Sequence, residues 1–135
     1  MKKRVNLVLL TVLILGLYSC ERDEGILPEI NFKTGGSYIS TSDSVNAGAA
    51  ILIGIEAKKT EDKDVLKKFT VTKSINGAAG VTVISHDLSG ADGDAYAYDY
   101  NETVENTSGQ TNTYTFTVTN RDGLVNQVSL DLHIR

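Results

Sequence analysis

The 135-residue chain has one cysteine, one proline, one methionine and no tryptophan. The lone cysteine, Cys20, excludes an intramolecular disulfide, so whatever folds here is held by packing alone. With two histidines, His86 and His133, and no second cysteine, the usual ligand set of a zinc site is missing. Positive charge is scarce as well: 13 basic residues face 17 acidic ones, a net charge of −4. Nucleic acid and anionic lipid both call for clustered positive charge, and this balance argues against either. No apolar run reaches the ~20 residues that a membrane-spanning helix needs. No segment sustains a helical period, and there is no internal repeat or low-complexity tract.

What is present begins with a targeting segment. Met1-Lys2-Lys3-Arg4 precedes an apolar stretch from Val5 to Tyr18, which the charged segment Glu21-Arg22-Asp23-Glu24 ends abruptly. A basic start followed by a short apolar run is the anatomy of a secretory signal peptide. The stretch closes on Leu17-Tyr18-Ser19-Cys20, which resembles the lipobox of bacterial lipoproteins. The resemblance implies removal of residues 1–19, a diacylglyceryl thioether on the Cys20 sulfur, and acylation of the new amino terminus. Several acyl chains hold a protein to a membrane where one does so only marginally. The alternatives are an ordinary signal peptide with an incidental cysteine, and an uncleaved anchor. Processing would remove three basic residues and no acidic one, leaving ten against seventeen and a net charge of −7.

Residues 20–27 read as the lipidated cysteine and a flexible acidic tether. From Pro28 to Arg135 the chain breaks into short apolar runs between turn signals. Glu29–Lys33 is the first. Ala50–Lys58 puts Ile51, Ile53, Ile55 and Ala57 on one face. Val65–Ser74 sets Val65, Phe69 and Val71 against Lys68, Thr70 and Thr72. Gly80–His86 carries Val81 and Val83, and Ala95–Tyr100 carries Tyr96, Tyr98 and Tyr100. Asn112–Thr119 sets Tyr114, Phe116 and Val118 against three threonines. The last run faces Val128, Leu130, Leu132 and Ile134 one way. Such alternation marks strands with one face on a core. Asn76-Gly77 and Asp122-Gly123 are turn signals, the second between two alternating runs as in a hairpin. Lys58–Lys68 reads as a loop leading into a strand. The expectation is an all-β domain of about seven antiparallel strands, a sandwich or barrel.

Tyr114, two residues before Phe116, resembles the tyrosine corner of immunoglobulin-like sandwiches, with Phe116 where antibody domains carry a cysteine. The run from Tyr114 to Gly123 also looks like the carboxyl-terminal hairpin of PKD-like and bacterial Ig-like modules. The resemblance implies an immunoglobulin-like β-sandwich over residues 28–135. Lipobox, acidic tether and Ig-like module together resemble small lipoproteins of Bacteroidota-type bacteria. That likeness implies an outer-membrane lipid anchor facing the cell exterior, with the periplasmic face as the alternative.

Candidate chemistry is sparse. Ser85-His86-Asp87 has the letters of a catalytic triad, but neighbours on a strand point to opposite faces and cannot form one. No G-x-S-x-G turn occurs. His133 falls on the polar face of the last strand. Asp92 and Asp94, in the loop Ser89–Asp94 with Asp87 and Asp99 nearby, are weak calcium candidates, since calcium takes clustered carboxylate and carbonyl oxygens. The competing reading is an acidic turn. Of the tyrosine stripe, Tyr96 and Tyr98 are expected in the core. Tyr100, at the strand end, is the candidate to stack on a sugar ring. Asp43-Ser44-Val45 resembles an O-glycosylation motif of Bacteroidota-type exported proteins. These features point to a non-enzymatic binding or structural module without cofactor. Its partner would be a glycan or a protein at the cell surface. The alternatives are an accessory subunit of a glycan-uptake or adhesion complex and, more remotely, a small hydrolase.

Overall fold

The computed structural model describes residues 25–135. The signal segment and Cys20 lie outside the described residues. Eight strands and one helical turn follow in the order β1 Glu29–Phe32, β2 Asp43–Val45, β3 Ala50–Lys58, β4 Leu66–Ile75, β5 Val81–Asp87, α1 Ala91–Asp94, β6 Ala95–Thr103, β7 Thr111–Asn120 and β8 Val125–Ile134. They form two sheets, β1-β3-β6 and β2-β8-β7-β4-β5. β3 and β6 sit in one sheet, and β4, β7 and β8 in the other. This is the strand partition of an immunoglobulin-like sandwich.

Two details differ from the expected seven antiparallel strands. The segment Asp43–Val45 forms an additional edge strand, and it pairs in parallel with the end of β8, Ser44 opposite His133. A three-residue strand has no period to read, which is why the sequence does not announce it. Within the loop expected to be a simple acidic turn, Ala91–Asp94 closes one helical turn before β6.

The core follows the alternation. In β7 every second residue from Asn112 to Asn120 is buried, and Tyr114, Phe116 and Val118 are fully enclosed. They meet Ile53 and Ile55 from β3, Phe69 and Val71 from β4, and Leu132 and Ile134 from β8. A register irregularity between Leu66 and Lys68 changes one assignment: Leu66 is fully buried and Val65 only half-buried. β5 departs further. Val81 is 66% exposed and Val83 41%, because the larger sheet has five strands and the smaller only three.

The turns obey their residues. Asn76 and Gly77 both have positive φ, 51° and 74°, and Ala78 N–H donates to the Ile75 carbonyl, as a two-residue hairpin turn requires. Between β7 and β8, Asn120 Oδ1 accepts the N–H groups of Asp122 and Leu124, and Gly123 takes φ 82°.

Gly54, mid-strand in β3, is needed for a different reason. The segment after β1 crosses it: Lys33 N–H donates to the Gly54 carbonyl, and the Lys33 and Tyr38 side chains converge on Asp99 above it. A Cβ at Gly54 would stand 2.6 Å from Tyr38 Cε1 and 2.7 Å from Lys33 Cδ. Gly54→Ala is therefore expected to destabilise by about 1–3 kcal/mol, the usual range for overpacking. An unchanged thermal midpoint would show that the Lys33–Tyr38–Asp99 cover yields freely.

Candidate functional site

The sandwich has two chemically different ends and one open side. At one end lie the β3–β4 loop, the β7–β8 hairpin, α1 and residues Gly25–Pro28. Ile26 N–H donates to Glu61, Thr60 Oγ1 donates to the Ile26 and Leu27 carbonyls, and Asn126 Nδ2 donates to the Pro28 carbonyl. Lys59 pairs with Asp94 at 2.8 Å. Asp64 is buried, with neither oxygen hydrogen-bonded, and Arg121 Nη2 lies 3.9 Å from its Oδ1.

The other end holds a polar network between the sheets. Lys73 shares the inward face of β4 with Phe69 and Val71 and is only 9% exposed. Its ammonium donates to Glu102 at 2.5 Å and to Glu105. Glu102 Oε2 also accepts the hydroxyls of Tyr114, at 2.6 Å, and Tyr100, at 3.2 Å. Glu105 Oε2 accepts from Asn112 Nδ2 at 2.7 Å and from Gln110 Nε2 at 3.1 Å. Burial pushes the Lys73 amine down, but its hydrogen bonds to Glu102 and Glu105 outweigh this and hold it above its ordinary value. Burial pushes the Glu105 carboxyl up, but the donors Lys73 and Asn112 bring it down to about 2. Burial, joined by the nearby Glu102 carboxylate, pushes both tyrosine hydroxyls up. Every charge here already has a partner, so the network is a polar plug for this end of the core.

Tyr100 therefore does not stand at an exposed strand end. It is 7% exposed, its ring packs on Tyr114 and Phe116, and its hydroxyl is bound to Glu102. The Tyr114 hydroxyl likewise goes to a carboxylate, where a tyrosine corner would bond to backbone. Sequence reading missed this network because Lys, Glu and Asn read as surface residues. The available signal was register: Lys73 lies two residues beyond Val71, and Asn112 two before Tyr114.

The open side lies between the sheet edges β5 and β6. Near the start of β6, Tyr96 and Tyr98 stack on each other and on Phe69. They are half-buried, and His86 of β5 closes over them, its Nδ1 2.8 Å from the Tyr96 hydroxyl. Further along β6, Tyr100 packs on Tyr114 and Phe116 of β7 instead of on β4 and β5. An apolar groove of about 260 Å³ opens on β4, β5 and the turn between them, lined by Lys73, Ile75, Ala78, Ala79, Val81 and Val83. A second, shallow hollow of about 330 Å³ on the outer face of the small sheet contains the ion pair Glu29–Lys58 and the small side chains Ala95 and Ala97.

The remaining candidates are scattered. Ser85 pairs opposite Thr70 and His86 opposite Phe69, so the two point to opposite faces. His133 is exposed, beside Thr111. Asp94 is committed to Lys59, and Asp92 lies on the exposed surface of α1. Among the described residues no three His, Cys, Asp or Glu side chains stand together in a way that could hold a metal ion. Ser44 is half-buried in β2, its N–H capped by Asp43.

No family model and no curated protein matches the chain. Among solved structures it is similar to the sporulation control protein Spo0M of Bacillus subtilis, at 7% identity and a TM-score of 0.47 over 82% of this chain and 50% of that one. It is similar to the CARDB domain of the PF1109 protein of Pyrococcus furiosus, solved with di-metal ions, at 14% identity and 0.47 over 84% and 98%. A β-glucosidase of Listeria innocua gives 11% and 0.44 over 78% of this chain and 16% of the enzyme. The chain thus spans half of the first and about a sixth of the third. At these scores the likenesses carry no argument about activity, and the fold stands on its own strand order.

The plug generates a pH prediction. Glu105 has a folded value below its ordinary 4.5, so its contribution to stability is complete above that value and is lost as pH falls toward about 2. Glu105→Gln is expected to lower the melting temperature at neutral pH and to flatten the acid limb between those two values. Lys73→Met leaves two carboxylates facing each other and is expected to cost about 3 kcal/mol. Melting curves from pH 2 to 7 that coincide for wild type and Glu105→Gln would contradict the assignment.

Proposed function

We propose that this chain is a lipid-tethered, non-catalytic binding module on the outer face of an outer membrane. Support for the tether comes from the sequence around Cys20. Four residues lie between Cys20 and Gly25, five steps that reach at most about 18 Å at ~3.6 Å per step. The single observation that gives this reading its geometry is the strap Gly25–Pro28, hydrogen-bonded to the β3–β4 loop and to β8. A lipid on Cys20 would hold that end close to the bilayer. The Lys73 plug would then face away, and the open β5–β6 side would lie between the two. The absence of catalysis is supported by the placement of Ser85 and His86 on opposite faces. The His86 ring is occupied by the Tyr96 hydroxyl, which burial pushes above its ordinary value, away from the phenolate that a nucleophile needs.

A second reading, an accessory subunit of a surface glycan-uptake or adhesion complex, is favoured by the same open side, since β6 pairs with β3 alone. Labelled palmitate supplied to cells making the protein tests the tether. Label is expected in the wild type and not in Cys20→Ala, and protease added to intact cells is expected to remove the domain. Unlabelled wild-type protein would sink the tether. Labelled protein protected from protease would place it on the periplasmic side.

A further inference from the structure

We propose that the wedge between β5 and β6 is a docking site for a single extended strand of a partner protein, paired edge-on with β6, with apolar residues at alternate positions and basic residues at its ends. This rests on the reading of the chain as a binding module and is independent of the lipid on Cys20.

The two sheets are unequal. Five strands face three, and β6 is an unpaired edge of nine residues. The inner face of β5 at Val81 and Val83, which a fourth strand beside β6 would cover, is open, while Ile84 packs on the core and His86 closes over Tyr96. Val81, Val83 and Ile75 stand 66%, 41% and 38% exposed around a groove whose wall is almost wholly apolar. Isolated exposed apolar residues need no explanation, but a contiguous set along an uncovered strand marks an interaction surface. Protection of these edges is partial: β5 has a bulge opposite Val71 and Thr72 and β6 an inward charge, Glu102, but neither strand contains proline or lysine, and Ala95 and Ala97 of β6 are small. Added strands draw affinity from main-chain pairing and specificity from alternate side chains. Here one set of side chains would fall on Val81, Val83 and the His86–Tyr96 edge.

Charge selects the partner's ends. Asp92 stands exposed in α1, immediately before β6, and at the other end two carboxylates, Glu102 and Glu105, share the single ammonium of Lys73. A strand with Lys or Arg at both ends complements these carboxylates. The occupant is not a second copy joined β6 to β6. On a two-fold axis normal to the sheet, the projecting β5 of each copy would run into β4 of the other, because β5 extends one strand beyond β6. Only a strand without a second layer fits the wedge.

The test appends a strand to the full chain. After Arg135, a Gly/Ser linker of roughly ten residues leads to Lys-Val-Thr-Val-Thr-Val-Lys. β8 and β5 are three strand spacings apart, about 14 Å at ~4.8 Å each, well within the linker's reach. The control carries proline for the central valine, which cannot pair. The valine strand is expected to raise the melting temperature by roughly 5 °C, about the shift that 1 kcal/mol gives in a domain of this size, and to slow amide exchange along β6. The proline version is expected to do neither. Two extensions that both match the unextended chain would overturn the proposal, as would an equal rise from both. A dimer of the unextended chain with β5 and β6 protected from exchange would assign the wedge to a second copy and overturn it as well. None of these outcomes depends on palmitate labelling, so failure here and failure of the tether are told apart.

Discussion

With no disulfide available, the two sheets are joined by side chains alone, and the joint centres on Phe116. This ring, in the middle of β7, lies 5.8 Å from Phe32 of β1, 6.1 Å from Tyr100 of β6 and 6.4 Å from Phe69 of β4. It therefore touches two strands of the opposite sheet and one of its own. Immunoglobulin domains place a covalent bond at this level. Here interlocking aromatics do that work, and their contact depends on close packing. The consequences run outward. β4, β7 and β8 must pack tightly around the ring, β3 and β6 must lie over them, and what reaches beyond that joint is left uncovered. β5 is the strand that does so.

The two ends are closed in different ways. At the strap end, the side chains of Thr60, Glu61 and Asn126, hydrogen-bonded to the backbone of Ile26–Pro28, and a surface ion pair seal the loops. At the other, a lysine and two carboxylates are drawn into the sandwich and saturated by tyrosine and amide donors. Such a network favours one arrangement of the β6–β7 loop, because a half-satisfied version would leave a charge in a poorly hydrated place. The plug thus fixes the path of the chain beyond β6.

Much of this is legible in the sequence where the alternation is strict. Ile51, Ile53 and Ile55, the Tyr114–Val118 run and Leu130–Ile134 face inward as their spacing requires, and Asn76-Gly77 and Asp122-Gly123 turn the chain as their residues require. Three kinds of feature are not legible. β2 is too short to have a period, and its parallel pairing with β8 depends on contacts far apart in sequence. The shift at Leu66 inserts a residue without a local signal, so Val65 and Leu66 exchange places. Of the tyrosine stripe, Tyr96 and Tyr98 pack against the core as their spacing requires, but Tyr100 is the most enclosed of the three, because burial depends on which strand lies opposite. Tyr100 meets β7 and is enclosed, whereas Tyr96 and Tyr98 meet the margin of the sheet. The Lys73 plug follows the same logic, since register places a charge inside wherever partners from another strand can receive it.

A tight joint around Phe116 coexists with an open, unpaired side at β5 and β6. Amide hydrogen exchange on the unmodified protein reads this directly, since protection reports local opening residue by residue. The slowest exchange is expected in β7 and the β4 amides paired with it. Exchange is expected to be faster by orders of magnitude at the outward-facing amides of Val81–Asp87 and Ala95–Thr103. Uniform protection that extends across β5 and β6 would contradict this arrangement.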